Sequence, residues 1–265
     1  MGIFSFINYD KNGPGVSKDA PQKKRFFLFF ELFFRKFKYM VGLNVIYLLL
    51  CIPIITIGPA TAAITYVFRS FSREEPIFVF NEFWRIFKEN FKYGVIVGIV
   101  DLILKAALGY SLYFYFVNIN QSTFVYIPFI LCMAALFMEL FTGYYIYMLM
   151  VTVNLKLKGL VKNAFMLAMI SMKSNIFTLI FSFIVVAPMV LMFPYSIPVI
   201  IILGASVPLF IQCFNAYPTI KKYCIDPVLE KEREEKASRG SLDGPDELDE
   251  VIFQDTVGNE EKKQH

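Results

Sequence analysis

Three ionisable side chains stand inside apolar stretches, where a charge is expensive enough to need a reason. Asp101 and Lys105 are four residues apart, so on a helix they share a face and can neutralise each other. Glu139 lies in the middle of another long apolar run and has no basic residue near it in sequence. The chemistry open to such groups is a proton relay or a contact with a polar substrate. They serve equally well as a structural ion pair and as a carboxyl bonded to a nearby Tyr or Asn. The second candidate is a break. The run Cys51-Ile-Pro-Ile-Ile-Thr-Ile-Gly-Pro-Ala-Thr61 places two prolines and a glycine in apolar sequence. An interrupted intramembrane helix frees N–H and C=O groups that can bind substrates or ions. Asn44, Thr56, Gly58, Thr61 and Thr65 are positioned in sequence to join it. The same break also serves simply as a turn.

Other catalytic chemistry is poorly provided for. The single histidine is His265, which excludes a buried Ser-His or Cys-His pair and any His-rich metal site. Cys51, Cys132 and Cys213 sit inside apolar runs and Cys224 just after one, without CxxC spacing, so they read as small buried hydrophobes. Phosphate-binding, dinucleotide-binding and HExxH motifs are absent. The expectation is a protein that is not an enzyme, with no cofactor and no metal. A membrane enzyme acting on a lipid-linked substrate with carboxylates, lysines and hydroxyls alone is the weaker alternative.

The elements that carry these residues are set by the solvent. A chain of 265 residues with 57% apolar and 18% charged residues and a mean hydropathy of +0.55 is a membrane protein, and its composition leaves no place for a secreted disulfide scaffold or a nucleic-acid module. Crossing about 30 Å of hydrocarbon takes roughly 20 helical residues. Residues 94–117, 123–153, 176–193 and 197–217 are long enough, the last with a bend expected at Pro208. Residues 38–71 are predicted to form a helical hairpin broken over Pro53–Pro59, each arm short for a full crossing; the alternative is a single crossing by residues 40–57, which leaves an odd number of spans and an external tail. The fold class is therefore an all-α polytopic bundle: four full spans, an N-terminal broken hairpin and amphipathic helices.

Charge orients the chain. Residues 1–220 carry a net charge of +9 and residues 221–265 a net charge of −5. Apart from Lys105, the basic residues of the body fall before Tyr39, between Arg69 and Lys92, and between Asn154 and Asn175. The turns Asn118–Ser122 and Pro194–Ser196 have none. The positive-inside rule puts the basic segments and both termini on the cytoplasmic side. Residues 1–22 read as a polar, disordered segment and 218–265 as a charged cytoplasmic tail, helical at first and disordered beyond Ser238. Two further helices, amphipathic and aromatic, are expected on the cytoplasmic side, either lying on the membrane surface or packing their aromatic faces on the bundle. One covers 23–38, with Phe26, Phe27, Phe30, Phe33, Phe34 and Phe37 on a broad face. The other covers 80–92, capped by Asn81, with Phe80, Trp84, Phe87 and Phe91 on one side. Phe83, Trp84, Arg85, Phe87 and Lys88 of that helix are candidates for interfacial or partner docking.

One stretch is specific enough to suggest a family. Gly42-Leu-Asn44, the break Pro53-Ile-Ile-Thr-Ile-Gly-Pro-Ala-Thr-Ala-Ala63 and Phe83-Trp-Arg-Ile-Phe-Lys-Glu-Asn-Phe91 follow an aromatic, basic helix. In that order they resemble the bacterial YesL family, multi-pass membrane proteins grouped under domain of unknown function 624. The resemblance covers roughly residues 28–95. It implies a bacterial, Gram-positive cell-membrane protein encoded among carbohydrate-uptake genes, and it assigns no catalytic residue. The leading expectation from it is a non-enzymatic accessory component of carbohydrate uptake, with sugar-importer membrane subunits and the lipid bilayer as partners. The alternative is a small secondary transporter or channel that uses the broken helix around Pro53–Pro59.

Overall fold

The structure, a computed structural model, describes residues 25–120, 122–153 and 155–238. The sequence expectations for residues 1–22 and beyond Ser238 lie outside these. The described residues form helices joined by short turns, with no strand among them. In chain order the helices are α1 (Arg25–Cys51), α2 (Ile57–Ser72), α3 (Val79–Glu89), α4 (Phe91–Val117), α5 (Tyr126–Met150), α6 (Leu157–Ile170), α7 (Met172–Leu191), α8 (Ile197–Leu203), α9 (Ser206–Ile220) and α10 (Asp226–Ser238). Single turns of 3₁₀ helix at Ile54–Thr56 and Thr123–Val125 lead into α2 and α5, and a π turn at Lys221–Ile225 joins α9 to α10.

Two units divide at Arg35. In the first, the start of α1 is laced by its own side chains. Phe26 meets Phe30 edge-on at 5.0 Å, Phe29 stacks on Phe33 at 6.4 Å, and Glu31 pairs with Arg35 at 3.9 Å. These are the one-turn spacings on which helical neighbours meet.

The second unit is organised by α2, which packs against α3, α4, α5 and α9. Its sequence explains why. Gly58, Ala60, Ala62, Ala63 and Ser70 keep the helix thin, so neighbours approach on several sides, while Ile64, Val67, Phe68 and Phe71 fill what remains. Every residue from Gly58 to Phe71 except Tyr66 is buried. Phe68 meets Phe210 of α9 edge-on at 5.6 Å. Arg73 and Glu74 close α2 with the bonds Glu74 N–H to Phe71 O and Glu75 N–H to Ser70 O. Glu74 takes the left-handed conformation (φ 58°) that this cap requires.

Among the described residues, five segments are long and apolar enough to cross a membrane: Ile54–Ser72, Phe91–Val117, Thr123–Met150, Met172–Leu191 and Ile197–Glu234. The protein is thus an all-α polytopic membrane bundle. The four expected spans are all present, and α2, the return arm of the hairpin, is the fifth. It differs in kind: 72% of its apolar window is buried within the protein, against 6% for α4 and for α5. The hairpin's return arm is a core element, whereas α4 and α5 turn most of their surface outward, as lipid-facing helices do.

Several boundaries differ from expectation. The helix expected over 23–38 and the first hairpin arm are parts of α1, because nothing between Arg25 and Cys51 breaks a helix strongly enough to separate them. The helix expected at 80–92 starts earlier and ends earlier. Asn81 lies inside α3 and does not cap it; the Glu82 N–H already bonds to Phe78 O at 2.9 Å. The connection 154–175 holds a helix, α6, that the sequence reading does not include. Leu160, Ala164, Leu167 and Ala168 recur at helical spacing and are buried. The last span is broken at Gly204–Ala205 instead of bending at Pro208. The proline is still the cause, because its ring conflicts with the carbonyl four residues back, that of Gly204.

Candidate functional site

Asp101 and Lys105 are the eleventh and fifteenth of the 27 residues of α4, and Glu139 is the fourteenth of the 25 of α5. All three stand near mid-helix. The two helices pack together, and this contact supplies the basic partner that Glu139 lacks in sequence. Lys105 Nζ lies 2.6 Å from Asp101 Oδ2 and 3.4 Å from Glu139 Oε1. The side chains are 36%, 20% and 11% exposed for Lys105, Asp101 and Glu139, so the cluster is partly withdrawn and Glu139 most of all. Glu139 Oε2 is buried and has no hydrogen-bond partner among the described residues. Gly143, one turn along α5 from Glu139, leaves the space. A Cβ there would stand 3.7 Å from Asp101 Oδ1 and 3.8 Å from Lys105 Nζ.

A tight crossing holds α4 in this register. Gly94 and Gly98 form a Gly-x-x-x-Gly face on α4, and Gly58 of α2 lies directly on it. A Cβ on Gly58 would fall 1.9 Å from Gly94 O, and one on Gly98 would fall 2.7 Å from Gly58 Cα. Backbone therefore touches backbone, and Gly58 acts through packing. Tyr147 of α5 reaches the same place, its hydroxyl 3.7 Å from where a Gly98 Cβ would be. Tyr47 of α1 bonds to Thr61 Oγ1 at 3.1 Å, and Thr61 also bonds back to Ile57 O at 2.7 Å.

The remaining candidates from the break are placed elsewhere. The Thr56 hydroxyl turns onto its own loop, bonding to Leu50 O and, at 2.7 Å, to Pro53 O. Ile52, Ile54 and Ile55 are exposed around it. The break is thus a closed apolar turn, with its freed carbonyls answered locally. Thr65 is buried on α2, its carbonyl facing Cys213. Asn44 is fully buried and serves the other break. Its Nδ2 donates to Ile200 O (3.0 Å) and Ile201 O (2.7 Å), and its Oδ1 accepts from the Ala205 and Ser206 N–H groups (2.9 Å each). One amide side chain thereby satisfies both ends of the gap between α8 and α9.

On α3, Phe83 and Phe87 are buried with Val79 and Ile86, which withdraws them from any docking partner. Trp84 and Lys88 stay exposed. Arg85 is held between Glu82 at 2.5 Å and Glu89 at 3.1 Å, and the bond to Glu82 raises the guanidinium further above its already high pKa. The expected single aromatic side is divided: Phe87 faces inward, while Phe80, Trp84 and Phe91 remain exposed.

Arg69, Asn175 and Tyr145 are absent from the sequence-based candidates. Arg69 is buried and donates to Val151 O at 2.7 Å and Thr152 Oγ1 at 3.0 Å. That places a cation on the C-terminus of α5, where the helix dipole favours one. Asn175 donates to Ala168 O at 2.9 Å and accepts from the Tyr145 hydroxyl at 2.8 Å, tying the α6–α7 joint to α5.

These features define an integral membrane protein with a mixed-charge cluster between two of its spans. Residues 40–113 match the family model described as Protein of unknown function, DUF624, so the hairpin, α3 and most of α4 carry that family's segment. No curated protein and no solved structure matches the chain.

Proposed function

We propose that the protein is a small secondary transporter or channel of the cell membrane, with the Asp101–Lys105–Glu139 cluster as its polar centre. One observation carries this reading. Two carboxylates from adjacent helices share a single lysine near mid-span, where an ion pair kept only for packing would need just one carboxylate. Ionisable groups at that depth mark ion and substrate paths in membrane proteins. The basic residues near α2, α3 and α6 support a cytoplasmic placement of that side. Flux of protons or alkali cations into vesicles containing the purified protein tests the reading. Asp101→Asn and Glu139→Gln are each expected to slow the wild-type flux by about tenfold or more, as loss of roughly 1.4 kcal/mol or more would; unchanged flux in both overturns it.

The exposed Trp84 and Lys88 of α3 favour a second reading, in which the protein is a non-enzymatic accessory that docks on a sugar importer. Gentle copurification that recovers an importer permease supports it, and recovery of none counts against it.

A further inference from the structure

We propose that the cluster holds one exchangeable proton, resident on Glu139. The proposal names the ion for the transport reading above and rests on it for its use, while its content comes from charge and geometry.

The charges do not balance otherwise. With every group ionised, Asp101, Glu139 and Lys105 sum to one excess negative charge. The other cations of the packed elements are engaged elsewhere: Arg69 of α2 is bonded to Val151 O and Thr152 Oγ1 at the end of α5, and Lys158 and Lys162 of α6 are exposed; beside the cluster α5 adds Tyr147, and around the glycine crossing α1 adds Tyr47 and α2 adds Gly58 and Thr61. Away from water, an unmatched carboxylate is more costly than a protonated one. The distances say where the proton belongs. Asp101 has the close contact with the ammonium at 2.6 Å, and Glu139 the longer one at 3.4 Å. Glu139 Oε2 is buried with no hydrogen-bond partner among the described residues, so a negative charge on it would go unanswered and the neutral acid is the less costly state.

The same geometry disfavours a metal cation. Such an ion needs several oxygen ligands around it, and here the lysine ammonium already stands against both carboxyl groups. Uptake is therefore the step Glu–COO⁻ + H⁺ → Glu–COOH. One O–H bond forms on the Glu139 carboxyl, the proton comes from water, and release is the reverse. Lys105 is a positioning residue, the fixed charge that lowers the number of protons required from two to one.

Infrared difference spectroscopy of the full chain in lipid vesicles, stepped between acidic and alkaline buffer and repeated in D₂O, reads this proton as the carbonyl band of a buried carboxylic acid. We expect one such band in the wild type and none in Glu139→Gln. Asp101→Asn should also show none, although Glu139 remains, because one carboxylate then faces one lysine. In Lys105→Met the band should double. Absence of the band from the wild type overturns the proposal, as does its persistence unchanged in Asp101→Asn. A band with the expected pattern in vesicles that carry no flux upholds the proton site and removes the transport reading instead.

Discussion

Replacing Asn44 by Ala is expected to lower the thermal unfolding midpoint of the purified protein by roughly 10 °C, since about 3–5 kcal/mol is lost and 1 kcal/mol shifts a chain of this size by about 2–4 °C. The magnitude follows from what the amide leaves behind. The Ile200 carbonyl keeps its bond from the Gly204 N–H at 2.8 Å. The Ile201 carbonyl and the Ala205 and Ser206 N–H groups lose the partner that Asn44 provides. A buried polar group left without a partner costs about 1–3 kcal/mol, and a lipid-facing setting offers no water to replace it. Asn44→Asp separates the two halves of the amide. It keeps an acceptor for the N–H groups but turns a carboxylate oxygen toward two carbonyls, so it should fall well below wild type as well. A midpoint within about 2 °C of wild type for Asn44→Ala, a shift worth less than about 1 kcal/mol, would mean that the α8–α9 break is satisfied in some other way.

The second large effect is expected at Gly58. A Cβ at this position meets Gly94 O at 1.9 Å, Gly94 C at 2.7 Å and Gly98 Cα at 3.0 Å. All three are backbone atoms, and no rotamer change relieves the clash. Gly58→Val must therefore push α2 away from α4 or prevent the crossing, and overpacking of this kind costs about 1–3 kcal/mol or more. Because α4 carries Asp101 and Lys105, the shift also moves them relative to Glu139, so flux should fall together with stability. Gly109 is the internal control. It lies on the same helix, and a Cβ added there would meet nothing within 4 Å, so Gly109→Ala should stabilise the helix by up to about 1 kcal/mol through backbone propensity alone. Thermal unfolding of both variants checks the pair, and equal responses at the two glycines would contradict the close crossing.

Much of the architecture is legible in the sequence because the bilayer imposes length and polarity on each helix. The four expected spans follow from runs of apolar residues, and their ends from short polar turns. The candidate cluster is only half legible. Asp101 and Lys105 meet through helical periodicity, but the approach of Glu139 depends on how α4 packs on α5, which no local spacing records. Asn44 shows the same limit from the other side. As a lone amide in an apolar run it groups naturally with the nearby break at Pro53–Pro59, whereas its four bonds to backbone groups go to residues about 160 positions later in the chain. The break itself needs no distant partner, since Thr56 closes it. Helix α6 is obscured by its lysines, which read as a connection, although the apolar residues between them pack the helix against α5.

The shared use of Lys105 by two carboxylates is tested most directly by a double-mutant cycle on flux, with Lys105→Met, Glu139→Gln and the two combined. If the cluster works as one unit, the double variant should transport about as slowly as the slower single variant, with a coupling of roughly 0.5–3 kcal/mol between the sites. Losses that simply multiply, or flux indifferent to both changes, would contradict it.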